Sequence, residues 1–114
     1  MAKAKIVRDT EGLFYGIRYK CPCDACGGAV ILPVAWLPQG ETRESPHNAN
    51  KPHWSFNGDF DAPVFGPSVL TKWGNRVCHS FVGCNGAVPG QIVFLSDCTH
   101  SLANQTVDLQ EVEA

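Results

Sequence analysis

The sequence predicts a small, mainly β domain whose antiparallel strands close into a barrel or pack as a sandwich. Three observations lead there. The apolar runs are short and rich in Val, Ile and aromatic residues, the composition that fits a pleated, half-buried surface. Glycine, proline and asparagine punctuate these runs, with 11 Gly and 8 Pro along 114 residues, so few segments are long enough for a helix. Apolar spacing at the helical period is scarce throughout. A chain of this length makes one domain, residues 1–114. With 44% hydrophobic and 18% charged residues it has the apolar content to fold.

The elements follow in order. Residues 13–19, with Phe14, Tyr15, Ile17 and Tyr19, read as a strand. Cys21-Pro-Cys-Asp-Ala-Cys26-Gly-Gly is a tight turn, and residues 29–34 return, which puts the turn at a hairpin tip. Residues 39–52 are polar and carry Pro46, Asn48 and Asn50, the composition of an exposed, mobile loop. Trp54-Ser-Phe-Asn is a short strand that ends at the Asn57-Gly58 turn signal. Pro63 and Pro67 bracket an extended piece, and residues 68–72 form a further strand. Residues 76–82 alternate cleanly, residues 91–95 are their hairpin partner, and residues 105–109 form a last strand before a polar tail at 110–114. The first residues hold no apolar stretch of leader length, and the longest apolar run, 29–37, is interrupted by Pro33. A cytoplasmic protein is therefore expected. The net charge of −2 comes without a basic block, so nucleic acid and membrane are not the expected partners.

Six cysteines in a reducing compartment favour metal binding over disulfides. Cys23-Asp-Ala-Cys26-Gly27 has the spacing of a zinc knuckle, in which backbone amides face two thiolates. Strand alternation puts Cys78 and Ser80 on one face and His79 on the other. If the later strand runs on through Asp97, Cys98 and His100 also share a face. Pairing of these segments would then gather Cys23, Cys26, Cys78 and Cys98 into a closed four-thiolate zinc site, a structural one. Cys21 and Cys84 are left without a role. Ser80 and His100 would lie beside the metal, with His79 as a second candidate base and Asp97 or Asp59 to orient the imidazole, which is the minimum for nucleophilic catalysis. A competing division makes His100 a ligand with three cysteines, leaving an open position where zinc activates water. The plain alternative is that the cysteines are small buried residues and that His79 and Ser80 are ordinary strand residues. The aromatic segment Trp54 to Asp59 and the run Pro63 to Ser68 form a shaped loop against the site, with Asp59 and Ser68 as polar contributors.

Cys23-x-x-Cys26-Gly27, Trp54-Ser-Phe-Asn-Gly-Asp59, Pro63-x-Phe65-x-Pro67-Ser68-Val-Leu, Cys78-His79-Ser80-Phe-Val and the run from Ile92 through Asp97-Cys98-Thr-His100 to Val107 carry a resemblance. The chain resembles a small domain-of-unknown-function family of phages and prophages. That family has BubE-type relatives in bacterial operons for ubiquitin-like protein conjugation. The resemblance implies a cytosolic peptidase, in the host cytosol if phage-encoded, that trims or releases a ubiquitin-like protein. It implies a serine mechanism, with Ser80 as nucleophile and His79 or His100 as base. Val30 stands where the family often has a histidine, Cys21 is additional, and the loop around Cys84 is longer. The alternative reading is a non-enzymatic zinc-ribbon-like adaptor that binds a host or phage protein through Trp36, Trp54 and Trp73.

Overall fold

The computed structural model describes residues 2–23 and 28–112. Two antiparallel sheets build it. The first has the order β1 (Ala4–Arg8), β2 (Phe14–Lys20), β3 (Ala29–Leu32). The second runs β4 (Ser55–Phe56), β5 (Phe65–Trp73), β6 (Arg76–Val82), β7 (Gln91–Phe94), β8 (Thr106–Asp108), so chain neighbours are sheet neighbours throughout. The mainly β, antiparallel expectation holds. β1 was not expected: its run is interrupted by lysines, and it gains strand character only by pairing with β2 from Ala4↔Tyr19 to Arg8↔Phe14. The β2–β3 hairpin is in place, with Lys20 opposite Ala29 and the Cys21 amide donating to the Gly28 carbonyl. The tip of the knuckle, residues 24–27, lies outside the described residues.

The inner faces of both sheets meet in one core. Phe14, Ile17 and Tyr19 of β2 and Leu32 of β3 pack with Phe65, Val69, Val82, Ile92 and Phe94 of the second sheet. Tyr19 stacks on Phe65 with ring centroids 5.5 Å apart, which ties one sheet to the other at the centre of the molecule. Trp36, Phe56 and Phe60 close one end as an edge-to-face cluster. Gly16 sits where β2 and β3 approach: a Cβ there would lie 2.6 Å from the Leu32 carbonyl oxygen, so the position admits no side chain.

Two expectations need correction. The segment 39–52 is polar in sequence but is not simply solvated. Its short 3₁₀ turn, Pro46–Asn48, is anchored to β2: the Ser45 amide donates to the Phe14 carbonyl, and the fully buried Asn48 donates its Nδ2 to the Tyr15 carbonyl at 2.7 Å. Arg8 holds Glu41 in a two-pronged pair at 2.9 and 2.8 Å, which keeps the Glu41 carboxyl below its ordinary range. Asn48→Ala should therefore lower stability by about 1–3 kcal/mol, the cost of leaving a strand carbonyl without its donor. Urea unfolding checks this, and an unchanged midpoint would mean that the turn is not anchored through Asn48. The second correction is that β7 stops at Phe94, and the chain turns before Asp97. The alternation argument for Cys98 and His100 therefore has no strand to act on.

Among the described residues no helix is long and apolar enough to cross a membrane.

Candidate active site and thiol cluster

The alternation of β6 sorts its residues as expected. Cys78 and Ser80 point into the core, 4% and 1% exposed, and His79 points outward. What meets His79 is decided on β5. There the register shifts: Phe65 pairs with Val82 and Val69 with Ser80, so four steps on β5 oppose two on β6. The extra residues, Gly66-Pro67-Ser68, form a bulge, a device that re-aims a side chain. Ser68 Oγ comes to lie 3.0 Å from His79 Nε2.

The other ring nitrogen is met from beyond β7. The Leu95 amide donates to the His79 carbonyl at 2.9 Å, after which the chain turns. Side chains then take over the ladder. Cys98 Sγ accepts the His79 N–H at 3.2 Å and lies 3.1 Å from the His79 carbonyl. Thr99 donates its amide to the Val77 carbonyl at 3.0 Å, and its Oγ1 accepts the Val77 N–H at 2.9 Å. This pinning sets Asp97 Oδ2 3.0 Å from His79 Nδ1. A carboxylate at Nδ1 places the ring proton there and leaves Nε2 as an acceptor for the serine hydroxyl. The outcome is a Ser68–His79–Asp97 relay, half-buried at the imidazole and open at the carboxylate, whose side chain is 56% exposed.

This corrects the pairing expected from sequence. Ser80, expected as nucleophile, neighbours His79 in the chain but faces the opposite side of the sheet, as the alternation itself requires. His100 is also elsewhere: it is buried edge-on against Phe94 and shares a cavity of about 210 Å³ with Pro22 and Cys23. Its Nδ1 accepts the Leu102 amide, and its Nε2 has no hydrogen-bond partner among the described residues. Asp59 is a turn residue whose Oδ1 accepts the amides of Asp61 and Ala62. From the sequence, Ser68 is, like Asp59, a polar contributor beside the site with a catalytic role as the lesser alternative. The signal that marks it is Gly66-Pro67 inside a strand-like run, since both residues weaken strand pairing and commonly mark bulges.

Behind His79, on the core side of β6, three thiols converge. Cys21 and Cys23 lie 3.3 Å apart at sulfur, Cys23 and Cys78 3.3 Å, and Cys21 and Cys78 3.8 Å, all buried. Zinc–thiolate bonds of about 2.3 Å in a tetrahedron put the sulfurs about 3.8 Å apart, so the group has the size of a metal's sulfur shell. Cys21, previously without a role, is a member, because alternate residues of an extended chain share a face. Cys98, expected as a ligand, is not in this group among the described residues, and its thiol is engaged with the backbone of His79. Cys26 lies outside the described residues. Cys84 points its sulfur at the Phe65 carbonyl.

Residues 2–89 match the family model described as the bacterial ubiquitination-like system serine protease, BubE. The matched stretch contains Ser68, His79 and the three clustered cysteines, and Asp97 follows it. No curated protein and no solved structure matches the chain. With more than half its length inside that family model, the chain belongs to the BubE family.

Proposed function

We propose that this protein is a serine peptidase that cleaves a protein substrate of the ubiquitin-like class, with Ser68 as nucleophile, His79 as general base and acid, and Asp97 as the residue that orients His79. The observation that carries this reading is the unbroken path from hydroxyl to Nε2 and from Nδ1 to carboxylate, 3.0 Å at each step. Ser68 Oγ attacks the scissile carbonyl while His79 Nε2 takes its proton. The imidazolium so formed is held by Asp97 and then protonates the leaving amine as the C–N bond breaks. Water, deprotonated by the same nitrogen, attacks the acyl group on Ser68 and releases the new carboxyl terminus.

The thiol cluster has a separate role in this reading. Cys21, Cys23 and Cys78 would hold a zinc ion, with Cys26 as the candidate fourth thiolate, and the ion would serve a structural role. A bound zinc ion would supply a cross-link between the β2–β3 hairpin and β6. Because Cys78 directly precedes His79, the same cross-link fixes the strand that presents the base. The cytosol, which keeps thiols reduced, is the compartment this chemistry suits.

A fluorophosphonate probe tests the assignment of the nucleophile. It phosphonylates an activated serine with loss of fluoride, and peptide mapping then locates the adduct. The adduct is expected on Ser68 and should persist in Ser80→Ala, while His79→Ala should slow its formation by about 100-fold or more. An adduct on Ser80, or labelling that survives Ser68→Ala, would overturn the assignment.

A further inference from the structure

β5 pairs with β6 at Phe65 and again from Val69 to Trp73, and among the described residues its other side is paired only through Phe65 and Gly66, which meet the two-residue β4. Beyond the bulge that side is an open edge. The direction of its backbone groups follows from the register. Leu70 stands opposite His79, and Lys72 opposite Val77. The amides and carbonyls of His79 and Val77 are turned the other way, toward Leu95, Cys98 and Thr99. In an antiparallel pair both residues of such a position point their backbone groups away from each other, so Leu70 and Lys72 present N–H and C=O to the open edge. Ser68 is in the same phase, and its carbonyl accepts the Trp54 Nε1–H at 3.1 Å.

Along this edge runs a groove of about 320 Å³, walled on one side by Val69, Leu70 and Thr71 and on the other by Val30, Ile31 and Leu32 of β3. β3 is likewise the edge of its sheet. Exposed apolar side chains gather here: Ile31 is 42% and Leu70 49% exposed, both in the groove, and Trp73, 64% exposed, ends the same strand. Among the described residues Lys51 is the one charged residue in the lining. Lys72 follows Thr71, while Arg18 and Lys20 stand opposite Ile31 and Ala29 in the sheet register. The groove is thus largely apolar, with Lys51 in its lining and Lys72 next along β5, and its β5 wall begins at Val69, the residue after Ser68.

From this we infer that the groove is the binding site for the substrate's extended segment. That segment adds as a strand to the open edge of β5, with apolar side chains between β3 and β5 and acidic residues toward Lys51 and Lys72. The inference rests on the peptidase reading for its choice of occupant. It accounts for apolar side chains left exposed along this edge, Leu70 and Trp73 on β5 and Ile31 across the groove, and it leads an extended chain toward the hydroxyl of Ser68.

The test uses the full-length Ser68→Ala protein and a fluorescein-labelled peptide that alternates valine and glutamate, with binding read by anisotropy. Backbone N-methylation is moved one residue at a time along the peptide. Strand addition engages every second amide, so affinity should fall about tenfold at alternate positions and hold between them. Ile31→Glu, introduced at an exposed position, should weaken binding about tenfold or more, and Lys72→Glu should weaken it and flatten its salt dependence. Loss without a two-residue period, undiminished binding to Ile31→Glu, or no saturable binding would overturn the inference. Fluorophosphonate labelling of the Ile31→Glu protein with Ser68 intact separates the two readings. If labelling is retained while the peptide results fail, the serine stands and the edge site falls. If Ser68 is never labelled while the peptide results succeed, the edge site stands without the peptidase.

Discussion

Ser68→Ala is expected to lower kcat for peptide cleavage by about 10⁴-fold or more, and His79→Ala by a similar factor. The two losses should not add, because hydroxyl and imidazole act as one unit in forming the acyl intermediate. The double variant should then match either single one. Asp97→Asn should cost less, about 10²- to 10³-fold. Its carboxylate is more than half exposed, so water partly replaces what the amide no longer supplies, although the tautomer of His79 is no longer enforced. Ser80→Ala is the decisive contrast. It removes a buried hydroxyl on the far side of β6 and should leave kcat within about threefold while changing stability by about 1 kcal/mol. Steady-state kinetics on a quenched peptide, with far-UV circular dichroism to show that each variant is folded, reads all five. Full activity in Ser68→Ala would end the relay reading, whatever the geometry.

Removal of the metal should have the second large effect. Structural zinc contributes about 10–16 kcal/mol in small zinc-finger peptides, against a total stability of about 5–15 kcal/mol for an ordinary domain. Here a core of two sheets exists besides the cluster, so the chelated protein should retain strand content but melt at least about 15 °C lower. Elemental analysis of reduced protein should give one zinc per chain, and Cys23→Ser or Cys78→Ser should lose both the metal and the thermal stability. Cys98→Ala separates two ligand sets. If Cys98 serves the backbone of His79, this variant keeps its zinc and loses activity about tenfold, because Asp97 and His79 are no longer held in register. If it loses the metal, the ligand set is Cys23, Cys26, Cys78 and Cys98, as the sequence alone suggested.

Most strands were legible because their signals are local. Residues 76–82 alternate, and the β2–β3 hairpin is framed by its glycines and cysteines, so period and punctuation suffice. β1 is not legible because so short a strand, with Lys5 and Arg8 among its five residues, is defined by what it pairs with. The segment 39–52 is largely exposed, as its polar composition predicts, but the composition does not reveal its anchor, the contact of Asn48 with the Tyr15 carbonyl of β2 33 positions away.

The chain by itself fixed the mainly β class, the two faces of β6, the family, and the chemical vocabulary of cysteines, histidine, serine and aspartate. Tertiary structure alone decided which of them meet. A serine adjacent to His79 in sequence is barred from it by the pleat, while one eleven residues away shares its outer face and reaches it from the neighbouring strand, beside the bulge in β5. Likewise Cys21 enters the thiol cluster and Cys98 leaves it for a backbone amide. Sequence encodes which face a side chain takes within an element. Partners across elements depend on register, and a two-residue shift in register is set by the packing of the whole sheet.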